Sequence, residues 1–306
     1  MNIIIWIQSI NSLNFSRAIN VLARQYGNIN FIGTVQNITP PPSNSPIVIN
    51  NKPIPVVLKE DLSSINYDLI VVVGQNASLV PILKEAEKLK INPDKVVLDR
   101  TICIPGFTLE RYNKLRHSKL SIISINCWSG FVYHAFGLEF LSPTINMFFK
   151  EEGFLKFSSN LRKYMDMEMR FYKTEFEPHA HYDYPVMLLG DIELHMNHYQ
   201  DVGVDGARQK WEERRLKINW YNLLVMTFSE KPEVLEIFDK LPFAKKVCFV
   251  PFKTDLDSGF YIEPEIIRGR EFYEPVNETP FGIMNYDIWD LLLYGKKTPI
   301  KLNLQN

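Results

Sequence analysis

The segment Asp68-Leu69-Ile70-Val71-Val72-Val73 is the clearest strand in the chain. An unbroken apolar run of this length is typical of a parallel strand that is buried on both faces. Residues 3–7 have the same character near the amino terminus, and helical patterns follow each run, over 14–26 and 78–89. Strands that alternate with such helices predict a parallel sheet with helical crossovers. We therefore predict an α/β protein with a Rossmann-like domain over residues 1–105.

The same alternation continues after the turn-rich segment 103–107, which marks the predicted domain boundary. The later segments with strand or helix character are predicted as strands over 120–126, 218–228 and 246–252, and as helices over 154–171, 204–216 and 233–241. A loop rich in aromatic and polar residues is predicted over 178–185. The chain is thus predicted to hold a second α/β domain over residues 106–306.

Length, charge and cysteine content limit the class of protein. The 306 residues suffice for about two domains, and the formal net charge of −1 gives no electrostatic case for a nucleic-acid partner. No apolar run approaches the roughly 18 residues of a membrane-spanning helix, and no signal peptide is recognisable. The three cysteines form no CxxC pair, which is typical of a reducing compartment, so we expect a cytoplasmic protein.

The segment that follows the first predicted strand bears on cofactor binding. A dinucleotide-binding domain carries G-x-G-x-x-G there, because glycine lets the backbone approach the pyrophosphate. This chain instead reads Ile7-Gln8-Ser9-Ile10-Asn11-Ser12-Leu13-Asn14-Phe15, without a glycine. We therefore predict a domain without a glycine-rich phosphate loop, which argues against classical NAD or FAD binding. The identity of any cofactor stays unknown from the sequence.

The most unusual stretch is Ser124-Ile125-Asn126-Cys127-Trp128-Ser129-Gly130, at the end of a predicted strand. Open α/β sheets place their ligand sites at such carboxyl ends. Asn126 and Ser129 offer hydrogen-bonding groups, and Gly130 allows close backbone access. Cys127 is either a nucleophile whose pKa a neighbouring base lowers, or an inert buried thiol beside a core Trp128.

The nearby segment Phe140-Leu141-Ser142-Pro143-Thr144-Ile145-Asn146 contains a turn signal. The hydroxyl groups of Ser142 and Thr144 have two interpretations. They bind a ligand phosphate or sugar, or they cap the next helix.

The segment Asp191-Ile192-Glu193-Leu194-His195-Met196-Asn197 alternates between polar and apolar residues. As a strand, it places Asp191, Glu193, His195 and Asn197 on one face. A carboxylate beside a histidine orients the ring and raises its pKa, which would make His195 a general base. The alternative is an ordinary solvent-facing strand. Because HExxH is absent and the spacing is generic, we assign no metal site.

The charged run that ends a predicted helix offers a candidate anion clamp. Arg214 and Arg215 have the chemistry to hold a phosphate or carboxylate. Asn219 and Asn222 follow them and are flanked by aromatic residues, a loose match to a sugar-binding pattern. The alternative is a solvated helix face with ion pairs between successive turns.

Four of these segments, 124–130, 140–146, 191–195 and 211–220, together resemble a bacterial family of unknown function. Its members are grouped under exopolysaccharide biosynthesis and occur among genes for capsule or cell-surface polysaccharides. The resemblance covers roughly residues 110–260. The first motif of that family often ends Trp-Gly-Gly, whereas Ser129 stands in place of the first glycine here. The resemblance implies a glycan-related context and carries no mechanism.

Three functional hypotheses follow. The first is a transferase acting on a cell-surface glycan or its activated precursor, with a site between the two domains, where Asn126, Ser129 and Arg215 hold an anionic donor. In this hypothesis His195 is the base, oriented by Glu193 or Asp191. The second is a non-catalytic binding or scaffold protein with a surface for a partner or for self-association as a homo-oligomer. The third is a cysteine-dependent hydrolase that uses Cys127.

Overall fold

The computed structural model describes residues 1–9, 14–36, 47–49, 52–281 and 286–298. Its internal contacts divide the chain into two compact units. The first comprises Met1–Asn113 and His134–Glu139, and the second comprises Lys114–Tyr133 and Phe140–Asn306. The second unit thus begins eight residues after the predicted boundary at 105/106. Residues 10–13 of the glycine-free segment lie outside the described ranges.

In the first unit, strands and helices follow one another in the predicted order. Its elements are β1 (Asn2–Ile7), α1 (Phe15–Tyr26), β2 (Asn30–Gln36), β3 (Ile47–Ile49), β4 (Lys52–Ile54), β5 (Leu69–Val73), α2 (Leu79–Lys88), β6 (Val96–Leu98) and α3 (Asp99–Ile102). A parallel sheet has the order β2-β1-β5-β6, and β3 pairs with β4 in an antiparallel ladder. The side chains of β5 are all buried, as the unbroken apolar run predicts.

Helix α4 (Leu109–His117) begins in the first unit and ends in the second. The elements that follow it are β7 (Ser121–Ser124), α5 (Trp128–Ala135), α6 (Glu151–Ser159), α7 (Leu161–Met165), β8 (Met169–Glu177), β9 (Tyr182–Leu189), β10 (Ile192–His195), α8 (Gly203–Arg215), β11 (Leu223–Phe228), α9 (Pro232–Asp239), β12 (Lys245–Val250), β13 (Gly259–Tyr261), α10 (Pro264–Ile267), α11 (Tyr273–Glu278) and α12 (Ile288–Tyr294).

The second unit contains two sheets of different kinds. A parallel sheet has the order β13-β12-β11-β7, and an antiparallel sheet has the order β10-β9-β8. The antiparallel strands lie between β7 and β11 in the chain, so β7 pairs with a strand far from it in sequence. The predicted α/β class is confirmed by the two parallel sheets with intervening helices. Among the described residues, no helix is long and apolar enough to cross a membrane.

The structure differs most from the predicted secondary structure over residues 154–185. The predicted helix over 154–171 is wrong, because α6 ends at Ser159, α7 ends at Met165 and β8 begins at Met169. Asn160 interrupts the helix with non-helical backbone angles (φ −135°, ψ 41°), and the aromatic residues from Phe171 onward favour a strand. The predicted loop over 178–185 shrinks to a turn, because β9 begins at Tyr182.

Candidate functional site

Polar side chains build the corner between β7 and α5. The Asn126 Oδ1 accepts a hydrogen bond from the Trp128 amide at 3.1 Å and thereby caps the start of α5. The Ser124 Oγ donates to the Asn126 carbonyl at 2.6 Å and accepts from the Ser129 amide at 3.1 Å. The 124–130 sequence therefore fixes its own strand-to-helix turn.

Hydroxyl groups behind this corner form a buried network. The Ser129 Oγ donates to the Thr144 carbonyl at 2.5 Å, and the hydroxyls of Ser142 and Thr144 lie 3.0 Å apart. The Thr144 Oγ1 also accepts from the Ser124 amide at 3.1 Å. Ser129, Ser142 and Thr144 are all completely buried. The structure thus places these three predicted ligand contacts in the interior, where they hold the 142–146 segment against β7.

Gly130 and Trp128 also lie in the packing behind the corner. A Cβ atom on Gly130 would lie 3.3 Å from the Ile145 side chain, so the glycine permits a close approach of α5 to this segment. The Trp128 ring is fully buried, and its Nε1 donates to the Thr279 hydroxyl at 2.7 Å.

A cavity of about 380 Å³ opens at the carboxyl ends of β7 and β11. It lies within the second unit and is lined by Ile125, Asn126, Cys127, Phe131, Phe148, Phe149, Glu177, Asn197, His198, Phe228, Tyr273 and Asn277. Asn126 reaches across it and donates from Nδ2 to the Asn277 Oδ1 at 2.9 Å. The described lining contains three amides, one imidazole, one carboxylate and no lysine or arginine.

The two segments that the sequence analysis singled out, 124–130 and 191–199, meet at this cavity. They meet through Asn126 and Cys127 on one side and Asn197 and His198 on the other. The predicted catalytic residues Asp191, Glu193 and His195 are not among the lining residues.

Asp191 and Glu193 form ion pairs with lysines outside the cavity, and the Glu193 Oε2 also lies 3.5 Å from the His195 Nε2, as predicted for a carboxylate beside this ring. Asp191 lies in the turn between β9 and β10 and pairs with Lys156. The Glu193 Oε2 lies 2.9 Å from the Lys150 Nζ. These pairs lower the pKa of both carboxyls, mainly through the hydrogen bonds from the two lysines.

His195 is buried, so it does not lie on an ordinary solvent-facing strand, which was the alternative to a general base. Its backbone pairs with that of Phe148 through hydrogen bonds of 2.9 and 3.0 Å, and the two rings stack with centroids 4.5 Å apart. The His195 Nδ1 lies 3.3 Å from both the Glu175 carboxylate and the Tyr184 hydroxyl. Phe148 therefore packs on the face of β10 that holds His195, which the solvent-facing alternative expected to be open.

Stability is expected to depend on pH through His195. Burial lowers the pKa of this imidazole, although the carboxylate of Glu175 opposes the shift. Below a pH of about 6.5 the unfolded chain therefore takes up a proton that the folded chain does not. The free energy of unfolding should fall as the pH drops through this range, by at most about 1.4 kcal/mol per pH unit for one group.

The pH effect can be measured as denaturant-induced unfolding between pH 7 and pH 5, for the wild-type chain and for His195→Gln. The variant should show a shallower slope, because it lacks the titrating ring. An identical slope in both proteins would assign the pH dependence to other groups.

Among the cavity residues that were not selected from the sequence are an imidazole, His198, and a carboxylate, Glu177. His198 is exposed on the cavity wall three residues beyond His195. Partial desolvation of the ring by the neighbouring residues lowers the pKa of His198, and the negative charge of Glu177 opposes that effect. The ring is therefore mainly neutral at pH 7 and able to accept a proton. The only sequence signal was that Asn197 and His198 continue the polar segment past the end of the strand.

Cys127 lines the cavity, but as a thiol. Burial raises its pKa to about 11, although hydrogen bonds to the backbone oppose the shift, and its Sγ lies 3.8 Å from the Met147 carbonyl. Only the thiolate is a nucleophile, so this environment argues against a cysteine-dependent hydrolase.

Alkylation of Cys127 by iodoacetamide is expected to be slow at pH 7, where about one thiol in ten thousand is ionised. The rate should rise about tenfold per pH unit toward pH 11. Mass spectrometry of the native protein measures this directly, with the fully buried Cys248 as an unlabelled control. Fast labelling of Cys127 at pH 7 would restore the hydrolase hypothesis.

Arg215 and Asn219 lie outside the cavity. Arg215 donates to the Glu212 carboxylate at 2.6 Å and to the Met165 carbonyl at 3.1 Å. Asn219 lies before the amino end of β11 and donates to the Lys119 carbonyl at 3.0 Å. The structure therefore separates the predicted anion clamp from Asn126. In the described part of the chain, no three His, Cys, Asp or Glu residues are grouped so as to hold a metal ion.

Comparison with known proteins gives the family. Residues 99–267, more than half of the chain, match the model of a domain of unknown function, DUF1919. The chain belongs to the DUF1919 family. An uncharacterized protein of Haemophilus influenzae is 32% identical over 162 residues, which cover 51% of this chain and 73% of that relative. The predicted membership of a bacterial family of unknown function is thereby confirmed at that level.

The DUF1919 match includes both strands that frame the cavity and most of its lining. It ends at residue 267, before Tyr273 and Asn277 of α11. The cavity therefore combines residues inside the DUF1919 domain with two residues beyond it.

Proposed function

We propose that this protein is a transferase-like enzyme of exopolysaccharide or other cell-surface glycan biosynthesis, and that the cavity beside Asn126 binds a sugar substrate. The lining of the cavity carries the proposal. Asparagine side chains both donate and accept hydrogen bonds, as sugar hydroxyls require. Phenylalanine rings offer flat apolar faces for the C–H groups of a sugar ring. The volume lies within the usual range of small-molecule sites.

The Asn197 Oδ1 supports a polar ligand in this cavity. The atom is buried and has no hydrogen-bond partner among the described residues. A buried acceptor without a partner costs about 1–3 kcal/mol, which a ligand hydroxyl would recover.

His198 is the proposed general base. Its neutral ring would take the proton of an acceptor hydroxyl while the hydroxyl oxygen forms the bond to the transferred sugar. The leaving group of the activated donor departs with the electron pair of the broken bond. Glu177 would stabilise the imidazolium that forms, because its charge favours the protonated ring. This assignment moves the predicted base role from His195 to His198.

The lining is also informative about the part of the substrate that it contacts. Without a lysine or arginine among its described members, it suits an uncharged sugar better than a phosphate group. The anionic donor contact proposed for Arg215 is not supported by the position of that residue.

We also propose that the first unit is Rossmann-like and that the protein is cytoplasmic. The parallel order β2-β1-β5-β6 with intervening helices supports a Rossmann-like first unit. The three cysteines are all free, which supports a cytoplasmic location.

Isothermal titration calorimetry with neutral mono- and oligosaccharides tests the proposed site on the full chain. We expect one class of sugar to bind, and Asn197→Ala to weaken it at least about tenfold. Asn219→Ala is the matched control, because this amide lies outside the cavity. Absence of sugar binding, or equal binding by the Asn197 variant, would refute the site.

A non-catalytic sugar-binding protein is the second candidate. Glu177 is the single carboxylate among the described lining residues, whereas cleavage of glycosidic bonds usually employs a pair. Sugar binding without any transfer product in the presence of an activated donor would favour this candidate over the transferase.

A further inference from the structure

A second and larger cavity, of about 570 Å³, lies at the amino ends of β11 and β12. It is thus at the opposite end of the parallel sheet from the cavity beside Asn126. Its walls come from the junction of α6 and α7 and from the turns that lead into β11 and β12.

The charge of this cavity is opposite to that of the cavity beside Asn126, because its described lining has basic residues and no acidic ones. Arg162 and Lys163 line it and are exposed, and neither forms an ion pair with a carboxylate in the described part of the chain. No aspartate or glutamate is among the described lining residues. Lys245 also lines the cavity, but its Nζ is bound to Asn222 at 2.8 Å and to the Leu293 carbonyl at 2.7 Å. Arg162 and Lys163 are therefore the cations available to a ligand.

Two aromatic residues accompany these cations. The Arg162 guanidinium carbon lies 4.3 Å from the centroid of the Trp220 ring, a cation–π contact that restrains the position of the group. Tyr221 is completely exposed beside it. An exposed aromatic ring that lines the same cavity as two cations provides both a stacking surface and a charge contact.

We propose that this second cavity binds an anionic ligand whose ring stacks on Tyr221 while its phosphate or carboxylate pairs with Arg162 and Lys163. An acidic sugar and a nucleotide share this chemistry. The site is independent of the proposed function of the first cavity.

Calorimetric titration of the full chain with UMP and with trigalacturonate tests the site, with uridine and maltotriose as uncharged counterparts. We expect one anion to bind at least about tenfold more tightly than its counterpart, and about 0.5 M NaCl to weaken it. The anion that binds identifies the source. The double variant R162Q/K163Q should weaken binding at least about tenfold, and Tyr221→Ala should weaken it several-fold.

Arg24→Gln is the matched control for the charge change, because Arg24 is an exposed arginine on α1 of the first unit and is not among the described lining residues. Asn197→Ala should leave anion binding unchanged, which separates this site from the first cavity. Failure of both anions to bind, or equal binding by R162Q/K163Q, would overturn the proposal.

A different observation, on β8, carries a second proposal. β8 is the edge strand of the antiparallel sheet, and Phe171, Tyr172 and Phe176 are each about half exposed on it. Tyr172 has no partner in the ladder with β9, because the register shifts between Phe171 and Lys173. An exposed edge of this kind is a template for pairing with another strand.

The register shift arranges the side chains of β8 in a self-complementary order. The ladder puts Arg170, Lys173, Glu175 and Glu177 on one face, opposite even-numbered residues of β9. Phe171, Thr174 and Phe176 lie on the other face, opposite odd-numbered residues of β9. Basic residues thus occupy the first half of the strand and acidic residues the second half.

We infer that a second copy of this chain pairs antiparallel along β8, with a two-fold axis at Thr174. If Tyr172 is the extra residue in each strand, Arg170 faces Glu177 of the second copy, and Lys173 faces Glu175. The same alignment places Phe171 against Phe176. Apart from the central pair of Thr174 with its own copy, these cross-strand pairs are then opposite in charge or aromatic, and the interface is isologous.

Sedimentation velocity of the full chain tests this interface. We expect a dimer at low micromolar concentration, and a monomer for F171E/F176E. Ile237→Glu is the matched control, because Ile237 is similarly exposed on α9 and should leave the dimer intact. Arg170→Glu should weaken the dimer, and R170E/E177R should restore it. A wild-type chain that remains monomeric up to about 100 µM, or a failure of the charge exchange to restore the dimer, would overturn the inference.

Discussion

Replacing Trp128 with alanine is expected to lower the free energy of unfolding of this protein by about 3–5 kcal/mol. The indole is fully buried at the start of α5, and its centroid lies 6.2 Å from that of the Phe249 ring. Its Nε1 donates to the Thr279 hydroxyl at 2.7 Å, and Thr279 in turn donates to the Val276 carbonyl at 2.8 Å. The substitution therefore opens a cavity and removes the hydrogen bond that ties α5 to the end of α11.

Urea-induced unfolding followed by circular dichroism measures this loss. Trp128→Phe should cost less than Trp128→Ala, because it keeps most of the ring and loses the N–H donor. Tyr221→Ala is the control, since a fully exposed side chain should change stability by no more than about 0.5 kcal/mol. A loss below about 1 kcal/mol for Trp128→Ala would mean that the corner is not packed as described.

The second large effect concerns catalysis. In a transfer reaction, His198→Ala is expected to lower kcat by about 10²–10⁴-fold, because it removes the proposed general base. Sugar affinity should change far less, since the amides and aromatic rings that hold the sugar remain. The transfer activity proposed for the wild-type protein should fall as the medium becomes acidic, because protonation of His198 removes its ability to accept a proton.

The measurement is product formation from an activated sugar and a glycan acceptor, with kcat and KM determined separately. His179→Ala is the matched control, because this exposed histidine lies in the turn between β8 and β9, outside the described lining. His195→Gln should reduce stability more than turnover. A fully active His198→Ala variant would exclude the base role and return attention to the binding-protein candidate.

The parallel strands were predictable because their environment is uniform. β1 and β5 are buried on both faces, so an apolar run alone identifies them. The antiparallel sheet was not predictable in the same way. β8 is an edge strand whose register shift at Tyr172 interrupts the period of two, and most of its residues are exposed, so it has no continuous apolar run. A helix-like spacing of Leu155, Leu161 and Met165 therefore extended the predicted helix into the strand.

The candidate site was predictable in position more than in detail. The carboxyl end of β7 drew attention to Asn126 and Cys127, and both line the cavity. The choice of His195 over His198 depended on which side of β10 is covered. Phe148 covers the side of β10 that holds His195. Phe148 and His195 are 47 residues apart, so their contact cannot be read from the local sequence pattern.

The role of the buried hydroxyl groups could not be predicted from the sequence. A serine that binds a ligand and a serine that bonds to a neighbouring carbonyl look the same in a sequence. In the buried interior, the Ser129 hydroxyl donates to the Thr144 carbonyl, and the Thr144 hydroxyl accepts from the Ser124 amide.

The pairing of β7 with β11 has a consequence for synthesis of the chain. Ser121 is aligned with Leu223, so β7 leaves the ribosome roughly a hundred residues before its partner exists. At about 5–20 residues per second, the Ile122 and Ile123 side chains of β7 wait on the order of 5–20 s for this pairing. The antiparallel strands in between pair locally and have no such delay. Nascent chains arrested between these two points should therefore recruit chaperones that bind apolar segments, whereas chains arrested after β11 should release them.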